Sequence, residues 1–596
     1  MEGIPALTGI SKQLSMATDS PPPASLPESG FSDLLPIWHD GHANRGSSCA
    51  HARAMLLLPS QGAHMQQSNA LPSVLRDLHA IRSATFGIFA SDGTLFRSAL
   101  FGRDALEASE DLLDFHPEIA HSVIRALAAL QGRREAAPGP DTSEEEIGKI
   151  HHEARFRIVD GAAVDPQSQA IIDRLASRWG GSKDGFVYYG SIDATPLFVR
   201  LVSRFCAQYG TAFLDEHITT HTGATITVRD SLVSAADWID QRISSSRTGF
   251  IEFHRRNPSG LPNQAWKDGF ASYLHADGSF VNYDAPVAPV EVQGVAYDAL
   301  RGAAALIRET DPLHAARWER LSQSLQSRIL SAFWMPKEGY FAMALDRHPV
   351  TGAVRKVETL SSNPGTLLDT TLFDNLPIDL YRTYVGGIVQ HIMRKDFLTG
   401  VGVRCRSLKH ASLTGYADYQ GSQTVWPKET YDIAKGLRKH GFSRLARALE
   451  VRLLNGMNSS GAHVEFLYAP VSGEPITRPY STDDAHSCAG TNIPENAQAW
   501  SVSAAYAIKR RLGKGREEPE APTPWHGALE QHILHAIPAI PLHVHAHDIE
   551  QETTPRNLSG INIARGKALE TELPRSRHHM RLPFRHRLPA GSQLGS

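Results

Sequence analysis

The feature that most constrains the fold is a helical periodicity that recurs between residues 71 and 512. Segments such as RDALEASEDLLDF, EVQGVAYDALRGAAALI and QAWSVSAAYAIKRRL place apolar residues at positions i, i+3, i+4 and i+7. Long polar loops rich in Gly, Tyr, Trp, Asp and Asn separate them, and loops of that length usually carry function. Because no repeat in residue identity is visible, the pattern favours a ring of helical hairpins over a helical solenoid.

The two ends of the chain differ in composition from this region. Residues 1–70 are rich in Pro, Ser, Gly and His and have no period of 2 or 3.6, which predicts a disordered or irregular segment. Residues 513–596 form a basic, His- and Pro-rich, low-complexity tail that is also predicted to be poorly ordered. The sequence therefore predicts an all-α domain at 71–512 between two extensions.

Composition and charge exclude several classes of partner. A formal net charge of −3 provides no global field to attract nucleic acid or membrane, so a neutral or small partner is expected. No apolar run is long enough to span a membrane and the N-terminus lacks a secretory pattern, which predicts a cytoplasmic protein. The cysteines lack metal-ligand spacing and no Gly-rich phosphate loop follows a strand, so the sequence indicates neither a metal nor a cofactor.

The segment 260–269, GLPNQAWKDG, concentrates polar and aromatic groups suited to sugar. If it turns helical at its C-terminal end, Gln264 and Asp268 share one face at i, i+4 spacing. A carboxylic acid beside an indole can be kept protonated by desolvation, as a general acid requires at neutral pH. The alternative is a helix start capped by Asn263, with Trp266 in the core. Spacing alone leaves both interpretations open.

Other candidate residues stand where helices are expected to begin. Arg103 and Asp104 in FGRDAL open a helix, and the Asp could accept sugar hydroxyls or complement the helix dipole. Asp193 in GSIDATPLF precedes a predicted helix, so an N-cap is its simplest structural role, although binding can coexist with capping. The ring of Tyr189 could stack on a pyranose or simply pack.

The segment GSQTVWPKETYDIAKGL offers a further pair of candidates. Trp426 could stack on a sugar ring, and Glu429 could bind its hydroxyls. The structural alternative is a well-formed helix start, with Pro427 at its first position and Glu429 in its first turn.

Taken in order, several motifs resemble the catalytic domain of the bacterial amylo-alpha-1,6-glucosidase or glycogen-debranching type. They are FGRDALEASEDLL, GKIHHEAR, YYGSIDATPLFV, GLPNQAWKDG, PVAPVEVQGVAYDAL, SNPG and QAWSVSAA, and the resemblance covers most of 80–512. That family belongs to the six-hairpin glycosidases, so the resemblance implies an (α/α)6 barrel and inverting hydrolysis by two carboxyl groups. Members usually carry an N-terminal β-sandwich, for which the first eighty residues are too few and too poorly patterned.

The resemblance also implies roles for individual residues. Asp268 matches the family's general acid, and Glu465 in AHVEFLYAP matches the general base, although Val464 stands where the family commonly has Pro. Glu495 in NIPENAQAW competes for the role of base. Substrate-binding positions implied at the barrel mouth are Arg103, Asp104, Tyr189, Asp193, Asn263, Gln264, Trp266, Lys267, Trp426, Glu429, Gln498 and Trp500.

The expected function is hydrolysis of a glucosidic bond in an α-glucan or oligosaccharide. One alternative is a disaccharide-type hydrolase of the trehalase, invertase or mannosylglycerate-hydrolase kind, since these share the barrel and an Asp as the general acid. Another is a carbohydrate-binding protein that has kept the barrel and lost catalysis. Release of reducing sugar from a panel of substrates separates the hydrolases from the binding protein.

Overall fold

The computed structural model describes residues 73–135, 141–413, 419–469, 494–513, 518–537 and 539–542. The prediction for residues 1–70 and most of the prediction for the tail lie outside these ranges.

Helices dominate the regular structure, as the periodicity predicts. The described helices are α1 (Ser73–Ala80), α2 (Gly102–Leu112), α3 (Pro117–Ala129), α4 (Pro166–Trp179), α5 (Ala194–Tyr209), α6 (Val228–Ser245), α7 (Val290–Ile307), α8 (Pro312–Ala332), α9 (Asn363–Thr366), α10 (Ile378–Ile392), α11 (Pro427–Lys439), α12 (Ser443–Ser460), α13 (Ala499–Gly513) and α14 (Pro524–Ala536). Short 3-10 turns cover Thr211–Asp215, Leu367–Asp369 and Leu408–Leu413. The periodic segments leave out α4, α9 and α14, and the sequence indicates α5 only through the GSIDATPLF motif.

One periodic segment that reads as continuous in the sequence divides into two helices. Helix α11 ends at Lys439 and α12 begins at Ser443, with Gly441 between them at a φ of 81°. This left-handed conformation favours glycine, because it carries no Cβ to clash with the backbone. The turn reverses the chain, so α12 packs back against α11.

From α5 to α13 the helices alternate along the chain between an inner and an outer set. Helix α2 contacts α5, α5 contacts α7, α7 contacts α9, α9 contacts α11, α11 contacts α13, and α13 returns to α2. In the inner helix α13, every residue from Ala499 to Lys509 is buried. The outer helix α8 instead buries one stripe, from Ala315 through Trp318, Leu325 and Ile329. Burial all round is expected only for a helix enclosed by others.

Short strands connect the helices. The described strands are β1 (Arg82–Ser83), β2 (Gly87–Ile88), β3 (Leu100–Phe101), β4 (Glu153–Phe156), β5 (Ile158–Val159), β6 (Ala162–Ala163), β7 (Gly185–Tyr188), β8 (His217–Thr219), β9 (Thr225–Thr227), β10 (Ala288–Pro289), β11 (Trp334–Met335), β12 (Tyr340–Phe341), β13 (Ala344–Arg347), β14 (Val354–Val357), β15 (Thr424–Val425) and β16 (Leu467–Tyr468). Three-stranded ladders join β3, β4 and β7, and β10, β13 and β14; the other strands pair in twos. Several of these strands lead directly into inner helices, so their pairing fixes where those helices begin.

Helix α14 corrects part of the tail prediction. Its 13 residues lie in the segment expected to be poorly ordered, yet they form a helix whose Ile533 belongs to the main hydrophobic core. The carboxylate of Glu530 accepts hydrogen bonds from the backbone N–H groups of Arg444 (2.9 Å) and Leu445 (3.2 Å). These donors belong to the first turn of α12, which has no side-chain cap of its own. Glu530 therefore caps α12 from a distant part of the chain.

Replacing Glu530 with alanine is expected to destabilise the fold by roughly 1–3 kcal/mol, because it leaves the first turn of α12 without its acceptor. The Glu530 side chain is 3% exposed, so water can replace the lost acceptor only in part. Urea unfolding of this variant measures the loss, with His532→Ala on the exposed side of the same helix as the control. Equal midpoints for the two variants would contradict the capping role.

Within the described ranges, no helix is both long and apolar enough to cross a membrane.

Candidate active site

The ladder of β3, β4 and β7 brings the first turns of α2 and α5 together. Phe101 pairs with Glu153, and Glu153 pairs with Tyr188. Helix α2 begins at Gly102, where an added Cβ would lie 2.2 Å from the carbonyl oxygen of His151. Only glycine permits this approach between the strand end and the neighbouring chain.

Arg103, in the first turn of α2, is the central cation of the site. Its Nε donates to Asp193 Oδ2 (2.7 Å), its Nη1 to Asp268 Oδ2 (3.3 Å) and its Nη2 to the carbonyl oxygen of Ala265 (3.1 Å). Burial opposes the charge of Arg103, but the carboxylates of Asp193 and Asp268 outweigh it and raise its pKa. A permanent guanidinium thus holds two carboxyl groups from separate loops in one place.

Asp193 does not cap α5, so the expected N-cap is wrong. It occupies the N-cap position but makes no side-chain cap hydrogen bond. Its carboxylate accepts from Arg103 and from the hydroxyl of Ser191 (2.5 Å) instead. The charged guanidinium is a stronger partner than a backbone N–H, which explains why the tertiary contact replaces the local one.

Residues 260–269, all of them described, form an irregular loop, so neither helical expectation for this segment is met. Asn263 donates from Nδ2 to the carbonyl oxygen of Gly269 (2.7 Å) and closes the loop on itself. Gln264 donates from Nε2 to both carboxylate oxygens of Glu144, at 3.0 and 2.8 Å. These side-chain bonds fix the loop and replace the backbone bonds of a helix.

Glu144 holds this loop from a strained backbone position. Its φ is 55°, a left-handed conformation that is costly for a residue with a Cβ. Besides Gln264, its carboxylate accepts from the hydroxyl of Tyr188 (3.1 Å). The strain is maintained because several buried donors require this one acceptor.

Asp268 is the most accessible carboxyl of the central cluster. Its side chain is 10% exposed, against 7% for Asp193 and 5% for Arg103. Oδ1 accepts from Gln420 Nε2 (3.2 Å), while Oδ2 faces Arg103. Burial raises the pKa of Asp268. The charge of Arg103 and the hydrogen bonds from Gln420 and Arg103 limit that rise. A slightly exposed carboxyl group with a raised pKa can give its proton to a bound molecule.

Asp104 links α2 to the start of α13. Its Oδ1 accepts from Gln498 Nε2 (2.9 Å). Burial raises the pKa of Asp104 to about 7, with Arg103 lowering it and the carboxyl of Asp268 raising it further. Gln498 Oε1 is buried and has no hydrogen-bond partner among the described residues. Gln498 Oε1 is therefore an unused acceptor, and it lies beside the carboxyl of Asp104, whose pKa is close to neutral pH.

Glu465 lies in the same electrostatic cluster. The hydroxyl of Tyr419 donates to its Oε1, and the backbone N–H of Glu495 donates to its Oε2 (3.2 Å). Glu465 is 2% exposed, and this burial raises its pKa to about 8. The hydrogen bond from Tyr419 lowers the pKa, whereas the carboxyls of Glu495 and Asp104 raise it further. The carboxyl of Asp268 in turn raises the pKa of Asp104. Both predicted catalytic carboxyls therefore interact electrostatically with Asp104.

Glu495, the competing candidate for the base, has different surroundings. Its Oε2 accepts from the backbone N–H of Leu95 (3.1 Å) and from the hydroxyl of Ser91 (3.5 Å). A Cβ on Gly93 would lie 1.9 Å from this oxygen, so the turn is built around the carboxylate. The Glu495 side chain closes a turn, whereas Glu465 is the one that interacts with Asp104.

An aromatic cluster packs behind the carboxyl groups. The rings of Trp266 and Trp426 meet edge to face at 4.9 Å, Trp500 lies 6.0 Å from Trp266, and Phe466 stacks on Trp426 at 5.2 Å. The pairing of β15 with β16 brings Trp426 and Phe466 together, because each residue adjoins one of those strands. Edge-to-face packing of large rings excludes water and accounts for the desolvation of the neighbouring carboxyls.

Lys267 and Glu429 form an ion pair beneath this cluster. Their side chains are 0% and 1% exposed, with Nζ and Oε1 3.4 Å apart. Lys267 Nζ also donates to the hydroxyl of Ser362 (2.9 Å) and to the carbonyl oxygen of Cys405 (2.7 Å). Glu429 accepts from Trp266 Nε1 (3.1 Å) and from Ser362 (2.5 Å). The pair joins the 260–269 loop to the first turns of α9 and α11.

Lys267→Met is expected to destabilise the protein by about 3–5 kcal/mol, because it leaves the Glu429 carboxylate buried without its cation. The double variant Lys267→Met with Glu429→Gln is expected to lose less, since a neutral carboxamide can still accept from Trp266. Urea unfolding of both variants and of Glu429→Gln completes the double-mutant cycle. Simple additivity of the two single effects would show that the ion pair is not coupled.

The structure gathers most of the predicted site residues at the beginnings of the inner helices and in the loops beside them. Three lie apart: Asn263 and Gln264 bind Gly269 and Glu144, and the hydroxyl of Tyr189, a residue 2% exposed, donates to the carbonyl oxygen of Leu130 (2.7 Å) at the end of α3. The residues that meet around the carboxyl cluster and its aromatic support are Arg103, Asp104, Asp193, Trp266, Lys267, Asp268, Trp426, Glu429, Glu465, Gln498 and Trp500.

Sequence reasoning assigned no role to four residues that contact the predicted site residues. Tyr419 and Gln420 precede the VWP motif, and Glu144 and Ser362 stand in or beside the long loops that carry the other motifs. Glu144 stands in an acidic run that resembles any solvated surface. For Tyr419 and Gln420, the only available signal was their closeness in sequence to Trp426.

Comparison with known proteins gives low similarities. No family model matches the chain, and no curated protein matches it. A GH63 mannosylglycerate hydrolase from Thermus thermophilus in complex with glucose is 15% identical, covering 74% of this chain and 99% of its own, with a TM-score of 0.47. A rhamnosidase from Klebsiella oxytoca with rhamnose bound is 14% identical, covering 74% and 64%, with a TM-score of 0.39.

A structure described as a wild-type glycosidase is 12% identical to this chain. It covers 74% of this chain and 96% of its own, with a TM-score of 0.43.

Proposed function

We propose that this chain is a glycoside hydrolase that cleaves a glucosidic bond with inversion. The observation that carries the proposal is the buried cluster in which Arg103 binds Asp268, and in which the adjacent residues Tyr419 and Gln420 donate to Glu465 and Asp268. Asp268 and Glu465 lie far apart in sequence and are ionisable groups in a desolvated place. Such an arrangement is costly for stability and is typical of acid–base catalysis.

The proposed framework is an (α/α)6 barrel. The closed order of contacts among the inner helices α2, α5, α7, α9, α11 and α13 supports it, as does the alternation with outer helices. Arg103, Glu429 and Gln498 stand at or just before the first turn of three inner helices. Contacts between these turns indicate that the inner helices point their N-terminal ends at one mouth, where helix dipoles favour carboxylates.

In the proposed mechanism, Asp268 is the general acid and Glu465 the general base. Asp268 gives its proton to the glycosidic oxygen as the bond to the anomeric carbon breaks. Glu465 takes a proton from the water whose oxygen forms the new bond on the opposite face of the sugar. Inversion requires room for that water, with the two carboxyl groups about 6.5–9.5 Å apart. The greater exposure of Asp268 suits the acid, and the contact of Glu465 with Tyr419 orients the base.

The proposed substrates are α-glucosides and short oligosaccharides, with α-1,6 linkages included because of the sequence resemblance. Asp104 and the free acceptor of Gln498 would bind sugar hydroxyls, which are donors. The deep burial of Glu465 favours a chain end or a disaccharide over the interior of a long glucan. Trp266, Trp426 and the ion pair beneath them would shape and support the site.

Carbohydrate binding without catalysis is the second candidate. The observation that favours it is the pKa of about 8 that burial gives Glu465, because a base that is protonated at pH 7 cannot accept the proton of a water molecule.

A panel of isomaltose, panose, maltose, trehalose, sucrose and mannosylglycerate tests the proposal. We expect release of a free sugar from at least one compound at pH 8, with the inverted anomer appearing first in the proton NMR spectrum. Retention of configuration would overturn the inverting mechanism. Binding of these sugars without hydrolysis between pH 6 and 9 would favour the second candidate. Asp268→Asn protein, prepared in the same way, controls for contaminating glycosidases.

A further inference from the structure

We propose that Gln420 is a positioning residue for the general acid, and that the Tyr419–Gln420 dipeptide sets the relative placement of acid and base. Gln420 donates to Asp268, and the preceding residue donates to Glu465. The inference rests on the proposed function, because it assigns Gln420 a part in the proton transfer from Asp268.

Only one orientation of the Gln420 carboxamide satisfies all of its hydrogen-bond partners. Its Oε1 accepts from the backbone N–H of Gly269 (2.9 Å) and from the hydroxyl of Ser272 (2.7 Å). Its Nε2 donates to Asp268 Oδ1 (3.2 Å) and to the carbonyl oxygen of Trp266 (3.3 Å). Both donors and both acceptor directions of the group are therefore used. A flipped amide would face Gly269 with a donor, so the N–H group must point at Asp268.

The contact constrains the carboxyl of Asp268 from a second side. Arg103 binds Oδ2 and Gln420 binds Oδ1, so the plane of the carboxyl group is fixed. When the acid gives up its proton, negative charge develops on these oxygens. The hydrogen bond from Gln420 then becomes charge-assisted and stronger, which lowers the energy of the transition state relative to the protonated ground state.

The dipeptide carrying these contacts is itself anchored. The backbone oxygen of Tyr419 accepts from Trp426 Nε1 (3.2 Å), and the Tyr419 ring packs edge to face on Trp426 at 4.9 Å and on Phe466 at 5.4 Å. Gln420 is 2% exposed. Adjacent residues of one anchored segment thus contact the two proposed catalytic groups.

Gln420→Glu is the variant that separates positioning from a purely structural role. A glutamate keeps an acceptor for Gly269 and Ser272 but removes the N–H donor that faces Asp268. Ser272→Ala is the matched control, because it removes one loop contact of Gln420 and leaves the donor to Asp268 in place. Thermal unfolding of both variants checks that they remain folded.

The readout is the dependence on the leaving group, measured as kcat and KM on α-D-glucopyranosyl fluoride and on the best α-glucoside of the panel. Fluoride departs with little need of a proton from the protein, whereas a sugar alcohol requires it. We expect Gln420→Glu to lower kcat on the glucoside by at least about tenfold and on the fluoride by less than about twofold. Tyr419→Phe is expected to lower both equally, because water attack is needed for either substrate.

An equal loss on both substrates, or no loss, in folded Gln420→Glu would overturn the inference. If Asp268→Asn retains its own sensitivity to the leaving group in that case, the proposed function stands and only the role of Gln420 fails. If neither the fluoride nor any glucoside is hydrolysed by the wild-type protein, the proposed function fails and the role of Gln420 fails with it.

Discussion

Asp268→Asn is expected to lower kcat on unactivated glucosides by a factor of at least about 100, while KM changes by less than about threefold. The carboxamide keeps the shape of the side chain and can still accept from Arg103, so the site remains assembled. It cannot give a proton to a departing sugar. Steady-state kinetics on the best substrate of the panel measures the loss.

The matched control is Asp284→Asn, which makes the same chemical change on an exposed residue of a neighbouring loop. Its kinetics should equal those of the wild type. Activity on α-D-glucopyranosyl fluoride should survive in Asp268→Asn far better than activity on a glucoside, because that leaving group does not depend on the acid. Wild-type turnover of glucosides by Asp268→Asn would remove this residue from the mechanism.

Glu465→Gln is expected to lower kcat by at least about 100-fold on both kinds of substrate, since glutamine cannot take a proton from water. Glu495→Gln should have a much smaller effect, because its carboxylate accepts from the turn at Ser91 and Leu95 instead. Comparison of the two variants on one substrate decides which glutamate is the base. The opposite ranking would transfer the role to Glu495.

Glu465→Gln is also expected to increase the free energy of unfolding. The direction of this change follows from the pKa of Glu465. Burial raises this pKa from 4.5 to about 8, so between those values the folded protein holds a proton that the unfolded chain has lost. Stability therefore falls as pH rises through this range, and glutamine, which never ionises, removes the loss. We expect a gain of roughly 2–3 kcal/mol at pH 7 and none near pH 4, measured by urea unfolding.

The activity of the wild-type protein is expected to rise with pH, in the range where its stability falls. Only the ionised form of Glu465 accepts a proton from water, so kcat/KM for the wild-type protein is expected to rise with pH as Glu465 ionises near pH 8. Asp268 must hold its proton to act as the acid, and burial raises its pKa, so its own ionisation is expected to lower kcat/KM as pH rises. A profile of kcat/KM from pH 5 to 10 reports both limbs. A constant rate from pH 5 to 8 would contradict the assigned base.

Much of the helical framework follows from the sequence. The segment QAWSVSAAYAIKRRL covers α13 except for its last residue, and EVQGVAYDALRGAAALI corresponds to α7 almost residue for residue. Apolar periodicity is a local property, since each turn of helix repeats the same stripe. Where local signals conflicted with tertiary partners, prediction failed: Asp193 looked like a cap and instead binds Arg103.

The tail shows how tertiary contacts can order a segment of weak local pattern. Helix α14 has a modest apolar stripe within a His- and Pro-rich sequence, and nothing in it predicts that Glu530 caps α12. The partners are 86 residues apart. Hydrogen bonds over such distances depend on the path of the whole chain, which no window of sequence contains.

By itself, the sequence determined the helical class, the residue types capable of acid–base chemistry, and the loops in which they stand. Only the tertiary structure decided which of these side chains meet. The contact between Gln420 and Asp268 joins positions 152 residues apart, and the surroundings of Glu465 and Glu495 differ although both precede QAW. The physical reason is that helix formation depends on neighbours along the chain, whereas charge, burial and hydrogen bonding in a site depend on neighbours in space.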